Sequence, residues 1–190
     1  MRIGHSRGFG VQSPSAYNFI RYVVNEHYPY YAYDDLKHSV KGISRDTRKL
    51  CRLYFRIANF AQADTCIDFA PATDAYASYI SRGCRRTKIV AVPYNATADE
   101  AMQTIEEAKG TALIRMTPCC HFAQAVEKAI VQASDDTILI IEDIHQDTEA
   151  KHVWHWLTED NRAGVTFDLY YCGIVFFDKI RPKQNYIVNF

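Results

Sequence analysis

The sequence predicts an α/β protein with a mainly parallel sheet, an antiparallel C-terminal pair of strands and a helical N-terminal extension. From residue 64 onwards, short runs rich in β-branched residues alternate with segments of helical periodicity, which is typical of βα units. The last runs are joined by short turns without helices, which favours antiparallel pairing. The patterns before residue 63 are helical. We therefore divide a single domain into an extension, residues 1–62, and an α/β core, residues 63–190.

Two helices are predicted in the extension. Ser13 and Pro14 read as an N-cap and a proline at the first helical position, and apolar residues at helical spacing follow over residues 14–27. A second helix begins near Ser44 and has one apolar face. Five basic residues lie mostly off that face: Arg45, Arg48, Lys49, Arg52 and Arg56. The tyrosine-rich stretch between the two helices is too irregular to assign.

Seven strands and four further helices are predicted in the core. The strands cover residues 65–69, 88–92, 112–116, 137–141, 165–169, 172–177 and 185–188. The helices cover residues 73–81, 98–108, 122–133 and 148–159. Asp147 is the expected N-cap of the last helix.

Composition narrows the classes of function. The 22 basic and 22 acidic residues give a formal net charge of zero, which argues against a wholesale electrostatic partner such as duplex DNA and leaves a local basic face open. The apolar runs are far shorter than the roughly 20 residues that cross a bilayer, so we expect no membrane association. No apolar stretch of a secretory signal follows the first residues, and the six cysteines lack zinc or redox spacing. We therefore expect a cytoplasmic protein with reduced thiols.

Chemistry is expected where the parallel strands end, because open α/β sheets bind ligands beside the carboxyl ends of their strands. One candidate loop runs from Asp68 to Asp74, and the other has the sequence EDIH, from Glu142 to His145. Acidic residues after a strand also serve as helix caps, and for the first loop both interpretations stay open.

The histidines near the second loop differ in what they can do. His145 lies in the loop itself, where a general base can reach a substrate hydroxyl or amine. Glu149 and His152 are one helical turn apart, a spacing that can chelate a transition metal. The apolar stripe of the same helix, however, turns His152 and His155 toward water. We therefore predict no metal.

Both ends of the chain carry motifs. FGVQSPSAYNFI occupies residues 9–20, and EDIH, HVWHWL, FDLYYCGIVFF and YIVNF follow one another toward the end. With these motifs the chain resembles the class I S-adenosylmethionine-dependent methyltransferases, and most closely a small bacterial subgroup. The resemblance covers nearly the whole chain and is weakest in the middle, which looks about one βα unit shorter. It implies a Rossmann-like, methyltransferase-type sheet and transfer of a methyl group from S-adenosylmethionine to an unknown acceptor.

The resemblance also implies a cofactor site after the first strand. The family motif there is Asp-Leu-Gly-x-x-x-Gly, and this chain has DFAPATD. Asp68 matches the acid, whereas Ala70 and Asp74 stand in the two glycine positions. A Cβ at Ala70 is expected to block close approach of the ligand or to prevent a positive φ. Asp74 would place a carboxylate where the next helix presents its free N–H groups.

The remaining site residues follow from the same resemblance. Pro93 stands where the family has an acid that binds the ribose hydroxyls, and proline offers no side-chain acceptor. Tyr94 is then the residue expected to flank the ribose or adenine. Asp143 and His145 would face the acceptor as catalytic residues. The two departures from the family pattern predict a cofactor site that is degenerate.

Three functions therefore stay open at the level of sequence. The chain is a methyltransferase homologue of unknown acceptor whose degenerate cofactor site is either still active or inactive, a non-catalytic protein-interaction scaffold, or an RNA-binding protein that uses the basic helix. The first 33 residues hold six of the 13 tyrosines, a composition typical of a binding lid or a subunit interface. A homodimer is therefore one partner hypothesis, beside an unknown acceptor or protein partner.

Overall fold

A computed structural model describes residues 10–108 and 112–190, and the bounds of its elements follow. The strands are β1 Thr65–Phe69, β2 Lys88–Val92, β3 Ala112–Met116, β4 Ile138–Glu142, β5 Val165–Asp168, β6 Cys172–Phe176 and β7 Gln184–Ile187. The helices are α1 Pro14–Phe19, α2 Tyr31–Ser39, α3 Arg45–Ala61, α4 Ala75–Gly83, α5 Ala98–Glu107, α6 Phe122–Gln132 and α7 Thr148–Glu159. A π-helical turn, Ile20–Val24, continues α1.

The strands form one sheet in the order β2-β1-β3-β4-β6-β5-β7. The four strands β1 to β4 pair in parallel, and β6 enters antiparallel between β4 and β5. The predicted mainly parallel sheet and its antiparallel C-terminal pair are therefore confirmed. All seven strands lie within one residue of their predicted bounds. The final strand differs from a simple hairpin, because β7 pairs parallel to β5 at the edge of the sheet.

Each face of the sheet has its own apolar core. Helices α1, α3 and α4 cover one face, where Leu53, Ile57 and Ile80 pack against side chains such as Leu113 and Ile140. Helices α5, α6 and α7 cover the other face. Alternate residues of the buried strands are thus apolar on both sides, which explains why β4 reads as a continuous apolar run.

The first predicted helix ends early. The prediction extended it over residues 14–27, whereas the helical turns stop at Val24. The cause is Arg56 of α3, whose Nε donates to the carbonyl of Val23 at 2.5 Å and whose Nη2 donates to that of Val24 at 3.0 Å. These carbonyls are the acceptors that a continued helix would need.

Helix α2 lies in the tyrosine-rich stretch that the sequence left unassigned. Its buried residues are Tyr33 and Leu36, and the Tyr33 ring packs edge-on against Phe55 of α3 at 5.1 Å. Packing against α3 thus stabilises a helix whose own periodicity is weak. Other tyrosines of this region are exposed, among them Tyr22 and Tyr31. A subunit interface there stays a prediction.

Two smaller features complete the fold. Helix α4 begins at Ala75, two residues later than predicted, because the hydroxyl of Thr73 accepts a hydrogen bond from the amide of Ala75 and turns the chain there. Within the described ranges, no helix is long and apolar enough to cross a bilayer.

Gly83 sets how closely α4 approaches α3. A Cβ built at Gly83 would lie 2.2 Å from the backbone oxygen of Phe55. Replacing glycine by alanine in a helix normally stabilises it by up to about 1 kcal/mol, but here the clash with backbone reverses the sign. We expect Gly83→Ala to lower the free energy of unfolding by about 1–3 kcal/mol in urea denaturation. Ser81→Ala, on the exposed side of α4, is the control and should change it by less than about 0.5 kcal/mol. Equal effects from the two variants would contradict this account.

Candidate functional site

A buried ion-pair network lies at the carboxyl ends of three neighbouring parallel strands. Arg115 of β3 is fully buried, and its guanidinium pairs with Asp68 of β1 through Nε. Its Nη1 lies 2.8 Å from Oε1 of Glu142, the last residue of β4. The same Nη1 donates to the hydroxyl of Thr117 at 2.9 Å. We call these residues, with Tyr54, the Arg115 network.

Strand register brings these charges together. Asp68 and Arg115 are directly paired across β1 and β3, so their side chains leave the sheet on the same face. Arg115 is also paired with Ile140 of β4, two residues before Glu142. Because side chains alternate between faces with a period of two, Glu142 also lies on that face. This is the face that α3 and α4 cover, so the network is closed off from water.

Residues of the covering helices complete the network. The hydroxyl of Tyr54 on α3 donates to Glu142, whose other oxygen lies 3.3 Å from the hydroxyl of Thr117. The ring of Tyr76 on α4 packs 4.5 Å from the guanidinium of Arg115, a cation–π contact. Two carboxyls share one guanidinium here, so the hydroxyl donors are needed to satisfy the remaining carboxylate oxygens.

Burial changes the acidity of this network. Desolvation raises the pKa of the Asp68 carboxyl, and the charge of Arg115 opposes that rise. Burial, and after it the Glu142 carboxylate, holds the pKa of the Tyr54 hydroxyl well above its ordinary value. Tyr54 is therefore a hydrogen-bond donor at neutral pH and not a base.

The predicted cofactor residues lie in different surroundings in the structure. Asp68 is buried in the Arg115 network. Asp74 lies exposed at the N-cap position of α4, where its side chain makes no capping hydrogen bond. Tyr94 is 62% exposed in the loop after β2. Pro93 is exposed in the same loop.

Ala70 has a left-handed backbone conformation, which glycine adopts without strain. Its φ is +47°, in the left-handed region, and its amide donates to the carbonyl of Val92 at 2.8 Å. The expectation that a Cβ would prevent a positive φ is therefore wrong. The hydrogen bond to the end of β2 offsets a conformation that costs an L-residue roughly 1–2 kcal/mol. The other expectation, that the Cβ of Ala70 blocks close approach of a ligand, stays a prediction.

The second loop forms its own cluster, which we call the His145 cluster: Asp143, His145, Asp168 and Tyr170. Nε2 of His145 lies 2.8 Å from Oδ2 of Asp168, and the imidazole stacks on the ring of Tyr170 with centroids 5.5 Å apart. The amide of Asp143 donates to the carbonyl of Tyr171 at 2.8 Å. The loop after β4 and the turn between β5 and β6 are thereby joined.

Backbone strain marks this edge of the sheet. Asp143 and Tyr170 have φ values of +58° and +74°, both in the left-handed region. Such conformations concentrate where a structure positions functional groups. Burial raises the pKa of the Asp143 carboxyl, and the neighbouring Glu142 adds to the rise. Of the two predicted catalytic residues, His145 is paired with Asp168, and Asp143 is joined to the neighbouring turn through its amide.

The other histidines lie where the sequence predicted. His152 and His155 are exposed on α7, and the His155 imidazole faces Glu159 one turn away at 3.7 Å. In residues 10–108 and 112–190, no group of three or more histidine, cysteine, aspartate or glutamate side chains is placed to hold a metal.

Four residues of these sites were not predicted from the sequence: Arg115, Thr117, Tyr54 and Asp168. A signal for the first was present: an arginine in the apolar strand ALIRM must be paired when that strand is buried on both faces. Arg56 was predicted to lie off the buried face of α3. It is buried, with its guanidinium on the carbonyls of Val23 and Val24. Arg56 is thus no part of an exposed RNA-binding face.

Comparison with solved structures identifies the fold. The SAH-bound methyltransferase PaMTH1 from Podospora anserina superimposes with a TM-score of 0.53 and 12% identity over 86% of this chain and 93% of its own. The cofactor-bound structure of Rv0187 from MTB superimposes with a TM-score of 0.51 and 11% identity over 77% of this chain and 86% of its own. The chain has a class I methyltransferase-like fold. By sequence, no protein-family model and no curated protein matches it.

The methyltransferase-like fold places the Arg115 network at the edge of the sheet where open α/β folds bind their ligands. Strands β1, β3 and β4 all end there, and their last polar side chains point at one another. The His145 cluster lies one strand further along, between β4 and β5. The inner part of this edge of the sheet is therefore filled by a paired arginine.

Removing Arg115 should destabilise the protein in a pH-dependent way. Arg115→Met leaves Asp68 and Glu142 buried without their cation, and we expect a loss of about 3–5 kcal/mol at neutral pH. Without Arg115, the pKa of Asp68 rises further. A carboxyl with a raised folded-state pKa contributes stability at low pH that is lost as pH rises through that pKa. The deficit of the variant should therefore widen from about pH 4 to about pH 7.

Urea denaturation across that pH range measures the deficit. Arg85→Met, at an exposed position, is the matched control and should change stability little. The triple variant Arg115→Met, Asp68→Asn, Glu142→Gln should lose the pH dependence. A deficit that is constant with pH would refute the role given to the ion pairs.

Proposed function

We propose that this chain is a methyltransferase homologue that no longer binds S-adenosylmethionine and acts as a non-catalytic scaffold that binds another molecule. The observation that carries the proposal is the Arg115 network. It fills the inner edge of the sheet with a neutralised arginine, at the strand ends where the fold binds ligands.

The residues at this edge do not fit the cofactor. S-adenosylmethionine carries its transferable methyl group on a sulfonium cation, and a buried guanidinium already takes up the carboxylates of Asp68 and Glu142. The side chain expected to bind ribose hydroxyls is replaced by Pro93, which has no acceptor. The Cβ of Ala70 stands where the family's glycine lets the ligand approach the backbone. Charge, hydrogen bonding and shape thus all disfavour the same ligand.

The Arg115 network also explains why the fold survives without a cofactor. It joins β1, β3 and β4 to α3 through Tyr54, and to α4 through the ring of Tyr76. A ligand that replaced these contacts would have to break two buried ion pairs. Removing one partner of such a pair leaves a buried charge without compensation, and this strongly destabilises the folded protein.

A second candidate is methyl transfer by a remodelled site. One observation favours it: His145 and Asp168 are paired at 2.8 Å at the edge of the sheet, an arrangement that suits a general base. In this alternative His145 would take a proton from the acceptor, and Asp168 would orient its imidazole. The same experiment separates the two candidates.

Thermal unfolding with S-adenosylmethionine and with S-adenosylhomocysteine tests the proposal. A ligand at 100 times its Kd stabilises the folded state by about 2.7 kcal/mol, which is roughly 5–10 °C for a domain of 190 residues. We expect no shift at millimolar concentrations of either ligand, and no heat of binding in calorimetry. A shift of that size would overturn the proposal and favour the remodelled methyltransferase.

The double variant Ala70→Gly, Pro93→Asp restores two family residues and leaves Arg115 in place. We expect it to show no binding in the same calorimetric titration, because the guanidinium still occupies the inner edge. If this variant binds S-adenosylhomocysteine and the native chain does not, the substitutions at Ala70 and Pro93 alone account for the loss of cofactor binding. The role given to the Arg115 network would then be wrong.

A further inference from the structure

A cavity of about 480 Å³ lies between residues 24–34 and the basic face of α3. Five of its lining residues are cations: Arg45, Arg48, Lys49, Arg52 and Arg56. Only two are acids, Glu26 and Asp34, so the lining has a formal excess of three positive charges (five minus two) in a chain whose net charge is zero. Its volume is within the range of about 300–1,000 Å³ that small-ligand sites occupy.

Among the described residues, four of the five cations of this cavity have no carboxylate partner. Within residues 10–108 and 112–190, none of Arg45, Arg48, Lys49 and Arg52 lies within ion-pair distance of a carboxylate. Elsewhere on the chain, exposed arginines such as Arg82 and Arg162 do pair with carboxylates. Unpaired positive charges held close together repel one another, so their clustering favours a bound anion.

Two polar side chains of the lining carry unsatisfied donors. Nη1 of Arg48 and Nδ2 of Asn25 are buried and have no hydrogen-bond partner among the described residues. Buried donors without acceptors cost free energy, and structures that retain them commonly use them to hold a ligand, ion or water. An anion in the cavity would supply the acceptor oxygens.

Aromatic rings line the same cavity. Tyr28, Tyr33 and Phe190 are among its walls. The Lys49 ammonium lies 4.3 Å from the ring centroid of Phe190, and the guanidinium of Arg52 lies 4.9 Å from that of Tyr33. Lys49 is also 5.4 Å from the ring of Tyr171, in the turn that accepts the amide of Asp143. The cavity therefore adjoins the His145 cluster.

We propose that this cavity binds a small organic phosphate with two or more negative charges. Arginine guanidiniums match phosphate oxygens in a two-bonded geometry, and three of them with one lysine suit a multiply charged group better than a single carboxylate. The aromatic walls offer a stacking surface for an organic ring. The ligand is small because the cations line one concave site of about 480 Å³, whereas RNA is bound by cations spread along an extended groove.

This inference is independent of whether the chain binds S-adenosylmethionine. A positive result with S-adenosylhomocysteine would overturn the function proposed above and leave the phosphate site untouched. A negative result in the phosphate titration would overturn the phosphate site and leave the function proposed above unchanged.

Calorimetric titration with inorganic pyrophosphate, and in parallel with ADP, tests the site. We expect both to bind and to raise the unfolding midpoint, with ADP bound more tightly because its ring contacts the aromatic walls. Binding should weaken as salt is added. No binding of either probe at millimolar concentration and low salt would overturn the proposal.

A pair of double variants separates the cavity from general electrostatic attraction. Arg48→Gln with Arg52→Gln removes two charges from the cavity and should weaken pyrophosphate binding by about tenfold or more, since each charged hydrogen bond contributes strongly. Arg85→Gln with Lys88→Gln removes two exposed charges near β2 and should change binding less than about twofold. Equal weakening by the two doubles would refute a built site.

Folding of the variants is measured by their unfolding midpoints without ligand. If the cavity double fails to fold, Lys49→Gln against Lys88→Gln gives the same comparison with one charge each. A short single-stranded RNA completes the series: RNA binding that pyrophosphate does not displace would overturn the small-ligand proposal.

Discussion

The pairing of Arg115 with Asp68 and Glu142 is the constraint on which the middle of this protein depends. It joins the ends of β1, β3 and β4, and helices α3 and α4 must lie where Tyr54 and Tyr76 can close over it. A buried guanidinium with two carboxyls is stable only while every partner is present. Gly83 lets α3 and α4, which carry Tyr54 and Tyr76, approach each other closely.

The same pairing explains how a methyltransferase-like fold persists with an altered edge. The backbone after β1 still turns through a left-handed residue at Ala70, and its amide is still bonded to the end of β2. The turn after β1 is therefore held by a main-chain hydrogen bond and does not depend on the side chains that border it. Fold and chemistry are separable because strand pairing and core packing set the path, whereas ligand binding depends on a few side chains.

The helical extension packs on the sheet, where the ring of Phe19 contacts those of Phe167 and Phe176. Arg56 of α3 binds the carbonyls at the end of the π-helical turn, and Tyr33 of α2 packs on Phe55. These contacts leave the other cations of α3 facing a cavity instead of a flat surface. Through Lys49 and Tyr171 the cavity reaches the His145 cluster, so the two polar regions of the molecule are neighbours.

The fold class, the bounds of the strands and the edge at which the polar loops meet could be predicted from local patterns. These features depend on periodicity, turn residues and the rule that parallel strands end at one edge, all of which can be read along the chain. The pairing of Arg115 with Asp68 and Glu142 and the burial of Arg56 could not be predicted in this way. Those outcomes depend on strand register and on which helix covers which face. Helix α2 and the positive φ of Ala70 were decided in the same way, because contacts with distant residues outweigh local preference there.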